Sequence, residues 1–151
     1  MQFRFEQRVE LPRERLFRFH TDPSNLGLLL GRRRGFRLLR HGGNIEPRSE
    51  TWVIDEICRL PVTMGFRHVA LDPPHSFEEH MIHGPFARFI HRHVFVEDGS
   101  ATLVIDELEV GLPWWLGGEP ALRLMVAGHL RAAFVQRQSE LVRLVEAQVV
   151  S

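Results

Sequence analysis

Four side chains that exchange protons near neutral pH or accept hydrogen bonds fall in four successive segments of alternating polar and apolar residues. They are His68, Glu79, His91 and Asp106, so imidazole and carboxylate groups alternate along the series. An imidazole paired with a carboxylate can orient a polar ligand group or move a proton. Because side chains two residues apart on a strand share a face, we expect these four to form one row across a sheet.

The turns between these segments determine whether the row exists. A four-residue turn over residues 72–75 places the first two members opposite each other, and one over residues 97–100 does the same for the last two. The turn at Gly84-Pro85 pairs the middle two if the apolar residues on both sides of it share a face. His83 and His93 then flank the row, and a slip of one residue in any hairpin would abolish it.

Three interpretations of the row stay open. Buried polar side chains can simply satisfy one another across neighbouring strands. They can also orient a hydroxyl, carbonyl or carboxylate group of a ligand in an apolar pocket. In the catalytic interpretation, His91 backed by Asp106 or Glu79 is a general base, for example on an enolisable ketone. A metal is not expected, since residues in a row fan out at intervals of about 4.8 Å, and the same-face pair His91 and His93 does not by itself select one.

The elements that must position this row follow from hydrophobic periodicity and turn residues. Alternation predicts strands, Pro12 and Asp22-Pro23-Ser24 are helix-start signals, and apolar spacing from residue 119 predicts one long helix. We expect strands near 2–10, 36–41, 50–58, 62–71, 76–83, 87–97 and 101–110, and helices at 12–20, 26–30 and 119–147.

Four sequence segments add to this order: VELPRERLFRFHTDPSNL, GPFARFIHRHVF, TLVIDELEV with LP one residue later, and AAFVQRQSEL. Together with the order of elements, they resemble the START-like (SRPBCC) superfamily, in its bacterial ligand-binding, polyketide cyclase/dehydrase-like branch. The resemblance implies an α+β helix-grip fold: a curved antiparallel sheet of about seven strands around the long C-terminal helix, with two short helices after the first strand. It also implies a cavity for small apolar molecules. The superfamily contains carriers, cyclases, hydrolases and members without known activity, so the resemblance leaves the substrate open.

We therefore expect the chain to bind a small hydrophobic, amphipathic or aromatic molecule between sheet and helix, for transport or sequestration rather than catalysis. The alternatives are a cyclase or dehydratase that uses the histidine–carboxylate pair, and a surface interaction module. His129 either points into the cavity or packs in the core. The expected ligand-binding residues are Phe66, His68, Glu79, Met81, Phe89, His91, His93, Phe95, Asp106, Met125, His129 and Phe134.

Two loops and one thiol have other candidate roles. Arg32–Arg34 between glycines can hold a phosphate or an acidic partner, although such a loop is usually just solvated. Trp114-Trp115 can form a lid over the cavity, pack locally, make a dimer contact or touch a membrane. Cys58 is expected to be a packed, inert thiol.

Composition excludes several classes of protein. Nineteen basic residues balance nineteen acidic ones, so nucleic acid is not an expected partner. A single cysteine suits a reducing cytoplasm, and no apolar run is long enough for stable membrane insertion. No nucleophile elbow, phosphate-binding loop, dinucleotide fingerprint or HExxH motif is present, and no cofactor is expected. We expect one domain over residues 1–151, as a monomer or a homodimer.

Overall fold

A computed structural model describes residues 1–30, 35–57 and 59–150. Its centre is a curved, seven-stranded antiparallel sheet in the order β1-β7-β6-β5-β4-β3-β2. Each strand from β2 onward therefore lies beside the next one in sequence, and β1 pairs with β7. The strands are β1 Gln2–Val9, β2 Arg37–His41, β3 Glu50–Ile57, β4 Leu60–Asp72, β5 Ser76–His83, β6 Arg88–Asp98 and β7 Ala101–Gly111.

Helices cover the concave face and one end of this sheet. Pro12 precedes α1, Arg13–Thr21, and the Asp22 carboxylate accepts a hydrogen bond from the Ser24 backbone amide where the chain turns toward α2, Leu26–Leu30. The C-terminal helix consists of α3, Gly118–Ala121, a π-helical turn, Leu122–Val126, and α4, Ala127–Glu146. The predicted helix-grip fold and its element order are confirmed.

The apolar residues of the core form two clusters. One cluster joins the first half of the C-terminal helix, including Leu122 and Phe134, to residues of β1, β3, β4 and β7. The other joins α1 to the end of α4 and includes Leu16 and Phe95. A cavity lies between the sheet and the helix.

The hairpin between β4 and β5 pairs His68 with Glu79, as predicted, although its turn is shorter than expected. Asp72 pairs with Ser76, so the turn contains three residues. A bulge at Val69 adds one residue to β4 and restores the expected partners further along the strand. Two deviations from the predicted geometry therefore cancel.

The hairpin between β6 and β7 differs from the prediction by two residues. Asp98 pairs with Ala101, which leaves a two-residue turn, and Gly99 adopts the left-handed conformation (φ 65°) that this turn needs. Asp106 therefore lies opposite His93 instead of His91. The same side chains still face the helix, because a shift of two residues preserves the face of a strand.

His83 does not flank the row. The pairing shifts between Gly65 and Phe66, which leaves Ile82 as an extra residue in β5. His83 is exposed, and its ring lies 5.5 Å from that of Trp52, on the outer face of the sheet.

Two features named above, Arg32–Arg34 and Cys58, lie outside the described residues. Within the residues that the structure describes, none of the helices has the length and apolar character needed to cross a membrane.

Candidate functional site

The cavity between the concave face of the sheet and α4 has a volume of about 160 Å³. Most of its wall is aromatic and aliphatic, as in pockets that bind small apolar molecules. Side chains from the sheet, from α2 and from the C-terminal helix contribute. The principal apolar residues are Leu29, Phe66, Phe86, Phe89, Leu130 and Phe134.

One end of the cavity is polar and charged. Here Glu79 lies between three imidazoles: its Oε2 is 3.3 Å from Nε2 of His68, and its Oε1 is 3.2 Å from Nδ1 of His91 and 3.9 Å from Nε2 of His93. His68 and Glu79 are neighbours across β4 and β5, and Glu79 and His91 across β5 and β6. Three of the four members of the predicted row therefore meet as expected.

Asp106 forms a second layer behind the two β6 histidines. Its Oδ1 accepts hydrogen bonds from Nε2 of His91 at 2.9 Å and from Nδ1 of His93 at 2.8 Å. The same oxygen accepts a hydrogen bond from Nη1 of Arg137 at 2.9 Å. His68, Glu79, His91, His93, Asp106 and Arg137 are called the polar cluster below.

Burial and these contacts set the charges of the cluster. Burial opposes ionisation of both carboxyl groups, yet the histidine hydrogen bonds hold the pKa of Glu79 well below its usual range. Burial would also raise the pKa of Asp106, but the positive charge of Arg137 and the histidine hydrogen bonds hold the pKa of this carboxyl group well below its usual range. The pKa of His91 is raised despite burial, because both carboxylates accept its hydrogen bonds. The pKa of His93 is lowered by burial and by the neighbouring His91 charge.

Eight predicted ligand-binding residues line the cavity, although ligand binding by them stays a prediction. They are Phe66, His68, Glu79, Phe89, His91, His93, His129 and Phe134.

Four predicted residues lie elsewhere. Met125 is 61% exposed. The π-helical turn Leu122–Val126 contains one more residue than an α-helical turn, so Leu122 and Val126 face inward there and Met125 faces outward. Phe95 belongs to the second core cluster, where its ring centroid is 5.6 Å from that of Phe17. Met81 packs beside the first cluster without lining the cavity, and Asp106 lies behind the histidines that do.

Many lining residues were not predicted, among them the polar residues Arg137, Thr51 and His20. Arg137 follows Leu130, Ala133 and Phe134 at helical spacing, so the period that identified those residues also contains it. Thr51 alternates with the lining residue Val53 along β3, and its buried hydroxyl has no hydrogen-bond partner among the described residues.

His20 is the third of these residues, and it follows Leu16 by one helical turn of α1. Nδ1 of His20 contacts the Leu16 carbonyl oxygen at 2.8 Å. Burial, with smaller contributions from Arg137 and His93, lowers the pKa of His20 to about 3.

The tryptophan loop lies at the surface. Trp114 is 87% exposed and Trp115 66% exposed, and neither lines the cavity. The expected lid is therefore not closed over the cavity in this structure.

Comparison with known proteins gives a family match and a set of structures with the same fold. A family model described as polyketide cyclase/dehydrase and lipid transport matches residues 9–138. No curated protein is significantly similar to the chain in sequence.

Three of the similar solved structures indicate the breadth of the fold. TTHA0849 from Thermus thermophilus is 20% identical over 98% of this chain and 99% of that one, with a TM-score of 0.77. Ms6760 from Mycobacterium smegmatis is 14% identical over 97% and 92%, with a TM-score of 0.75. Norcoclaurine synthase from Thalictrum flavum, in complex with dopamine and hydroxybenzaldehyde, is 16% identical over 94% and 86%, with a TM-score of 0.67. At these identities the likeness concerns the fold alone.

Proposed function

The chain belongs to the polyketide cyclase/dehydrase and lipid transport family, and on this premise we propose that it binds a small amphipathic molecule in the cavity between sheet and helix. The observation that carries the proposal is a largely apolar cavity wall in which ionisable side chains of the polar cluster lie together. Phe66, Phe89 and Phe134 belong to the apolar wall, whereas Glu79 and His91 belong to the polar cluster.

The size of the cavity limits the ligand. An apolar cavity of about 150 Å³ is large enough for benzene, and the cavity of this protein is about 160 Å³. We therefore propose a ligand whose buried part is about one aromatic ring or a short aliphatic chain. A larger ligand requires the helix or the loops around the cavity to move.

The polar end favours a ligand with a hydrogen-bond donor. Glu79 and Asp106 are ionised acceptors, and Arg137 already donates to Asp106. Of these two carboxylates only Glu79 lines the cavity, and a ligand hydroxyl or amine beside the polar cluster is expected to donate to it. A hydrogen bond to a charged group contributes about 1.5 kcal/mol or more, which corresponds to about a tenfold gain in affinity.

The proposal is tested by titrating the protein with phenol and with toluene, which differ in one hydroxyl group. We expect both to shift the NMR signals of cavity residues and phenol to bind about tenfold tighter. Glu79→Gln should reduce that preference, whereas Glu78→Gln, the neighbouring position on the outer face of β5, should leave it unchanged. Shifts confined to residues outside the cavity would contradict the proposal.

A matched pair of helix variants tests the location. Ala133 is buried and lines the cavity, whereas Val135, two residues later, is 58% exposed. Ala133→Leu should fill the cavity and weaken toluene binding at least tenfold, and Val135→Leu should not. Equal toluene affinity in both variants would place the binding site elsewhere.

A second candidate function is proton transfer by His91, because its two ring nitrogens contact Glu79 and Asp106 at 3.2 and 2.9 Å. In a cyclase or dehydratase, this histidine would exchange a proton with a substrate held beside it. The test is turnover of an enolisable aromatic ketone by wild type and by His91→Gln. Loss of turnover with retained phenol binding would support catalysis, and no turnover by the wild type would count against it.

A further inference from the structure

Two imidazoles on β6 are held between the same pair of carboxylates. His91 directs Nε2 to Asp106 and Nδ1 to Glu79, whereas His93 directs Nδ1 to Asp106 and Nε2 to Glu79. Each ring therefore has one nitrogen fixed by Asp106 and the other aimed at the region in front of Glu79. The rings lie close together, with centroids 3.8 Å apart.

Both rings also turn a nitrogen toward Oε1 of Glu79, His91 at 3.2 Å and His93 at 3.9 Å. In the tautomer of His93 that donates from Nδ1 to Asp106, Nε2 carries a lone pair. A cation between that lone pair and the carboxylate would satisfy both. The second carboxylate oxygen, Oε2, is occupied by His68 at 3.3 Å, which leaves Oε1 directed at the β6 imidazoles.

We propose that Glu79, His91 and His93 bind a divalent first-row transition-metal ion at the polar end of the cavity. Each of the three residues offers one candidate ligand atom, and these atoms all lie within 4.8 Å of one another. Metal–nitrogen and metal–oxygen bonds of about 2.0–2.2 Å place neighbouring ligand atoms about 3.3 Å apart in a tetrahedral site. The two observed separations from Oε1, 3.2 and 3.9 Å, are close to that value.

Asp106 and Arg137 lie behind the candidate ligands, where metal sites usually have groups that orient the ligand side chains. Histidine ligands usually donate their other ring N–H to a carboxylate, which fixes the tautomer and the ring orientation, and Asp106 accepts from both rings. Arg137 in turn holds Asp106 at 2.9 Å. The objection that residues in a row fan out does not apply here, because two ligands come from one strand and their rings converge.

The ligand set indicates the class of metal and its coordination. Two imidazoles and one carboxylate suit zinc, iron or cobalt and leave at least one coordination position open. All three ligand residues line the cavity, so an open position faces the space in which a small molecule would lie. This inference goes beyond the proposed function, because toluene binding in the apolar part of the cavity requires no metal.

The experiment uses Co²⁺ as the probe on the full chain after chelator treatment. We expect one Co²⁺ per chain with visible d–d absorption, and at least a tenfold loss of affinity in Glu79→Gln and in His93→Gln. The matched controls are Glu78→Gln and His80→Gln on the outer face of β5, where His80 and Glu78 also form a pair, at 2.7 Å. These controls should bind Co²⁺ as the wild type does.

Circular dichroism of every variant shows whether it is folded. If the cavity variants do not fold, X-ray absorption of the zinc-loaded wild type decides, with two imidazoles and one carboxylate expected around the metal. The proposal is overturned if the wild type binds no Co²⁺, if Glu79→Gln or His93→Gln binds it unchanged, or if the zinc spectrum lacks imidazole ligands. Failure here with intact phenol and toluene binding would leave the proposed function standing.

Discussion

Mild acid should destabilise the fold through His20, a residue of α1 that no proposed step uses. Its side chain is buried, with 8% exposed, and its pKa is about 3 in the folded protein against about 6.5 in an unfolded chain. The charged groups that face it are Arg137 from α4, His93 from β6 and Asp106 from β7. Burial is the largest cause of the shift, and the positive charge of Arg137 adds to it.

The sign and the magnitude follow from proton linkage. Between the folded and the unfolded pKa the unfolded chain binds one more proton at this site, so stability falls as the pH decreases below about 6.5. From about pH 7.5 to about pH 5 this one group lowers the free energy of unfolding by about 2 kcal/mol. The loss reaches its full value only when the pH falls to the folded pKa.

The assay is urea unfolding of wild type and His20→Asn across this pH range. Asparagine places an amide donor near the position of Nδ1, so the hydrogen bond to the Leu16 carbonyl is retained and the titration is removed. The stability difference between the two proteins should therefore change by about 2 kcal/mol, in favour of the variant at low pH. Contributions from other titrating groups are common to both proteins and cancel to first order. Parallel stability curves would refute the assignment of a neutral, buried His20.

Three further outcomes are expected in urea unfolding at neutral pH. Asp106→Asn removes the charged partner of Arg137, whose side chain is 11% exposed, and should lower the free energy of unfolding by about 3 kcal/mol. The control Glu107→Gln, on the outer face of the sheet, should lower it by less than about 0.5 kcal/mol. Similar losses in the two variants would contradict the argument. Thr51→Val replaces a buried hydroxyl that has no hydrogen-bond partner among the described residues, so it should stabilise the fold by about 1 kcal/mol. A loss of stability in this variant would refute the explanation. Gly65→Ala places a Cβ 3.0 Å from ring atoms of Trp52 and should destabilise by about 1 kcal/mol or more. At Gly43 a Cβ meets no atom within 4 Å, so the cost of Gly43→Ala comes from the backbone (φ 91°) and should be smaller in Gly43→Asn. The same relief at Gly65→Asn would contradict the steric explanation.

Much of the site was predictable because its information is local. Alternation of polar and apolar residues identified the inward face of each strand, and the turns placed Glu79 between His68 and His91. Strand periodicity tolerates errors of two residues in a turn, since they move a side chain along a face without changing the face. For this reason His91 and His93 were correctly predicted on the cavity face, although the predicted pairing of β6 with β7 differed from the observed one by two residues.

The tertiary structure decided which side chains meet in three dimensions. The shorter hairpin between β6 and β7 moved Asp106 opposite His93, where it contacts both β6 imidazoles. The π-helical turn removed Met125 from the cavity, because one extra residue rotates everything before it relative to the rest of the helix.

Arg137 shows the limit most clearly. Helical spacing places it on the same face as Phe134, but its partner Asp106 is separated from it by 31 residues of sequence. Only the packing of α4 against the sheet brings the guanidinium to that carboxylate. The sequence by itself determined the elements, their order and the face of each residue, because those depend on periods of two and 3.6 residues. The convergence of the polar cluster depends on turn length, bulges and helix docking, which are set by packing between elements far apart in the chain.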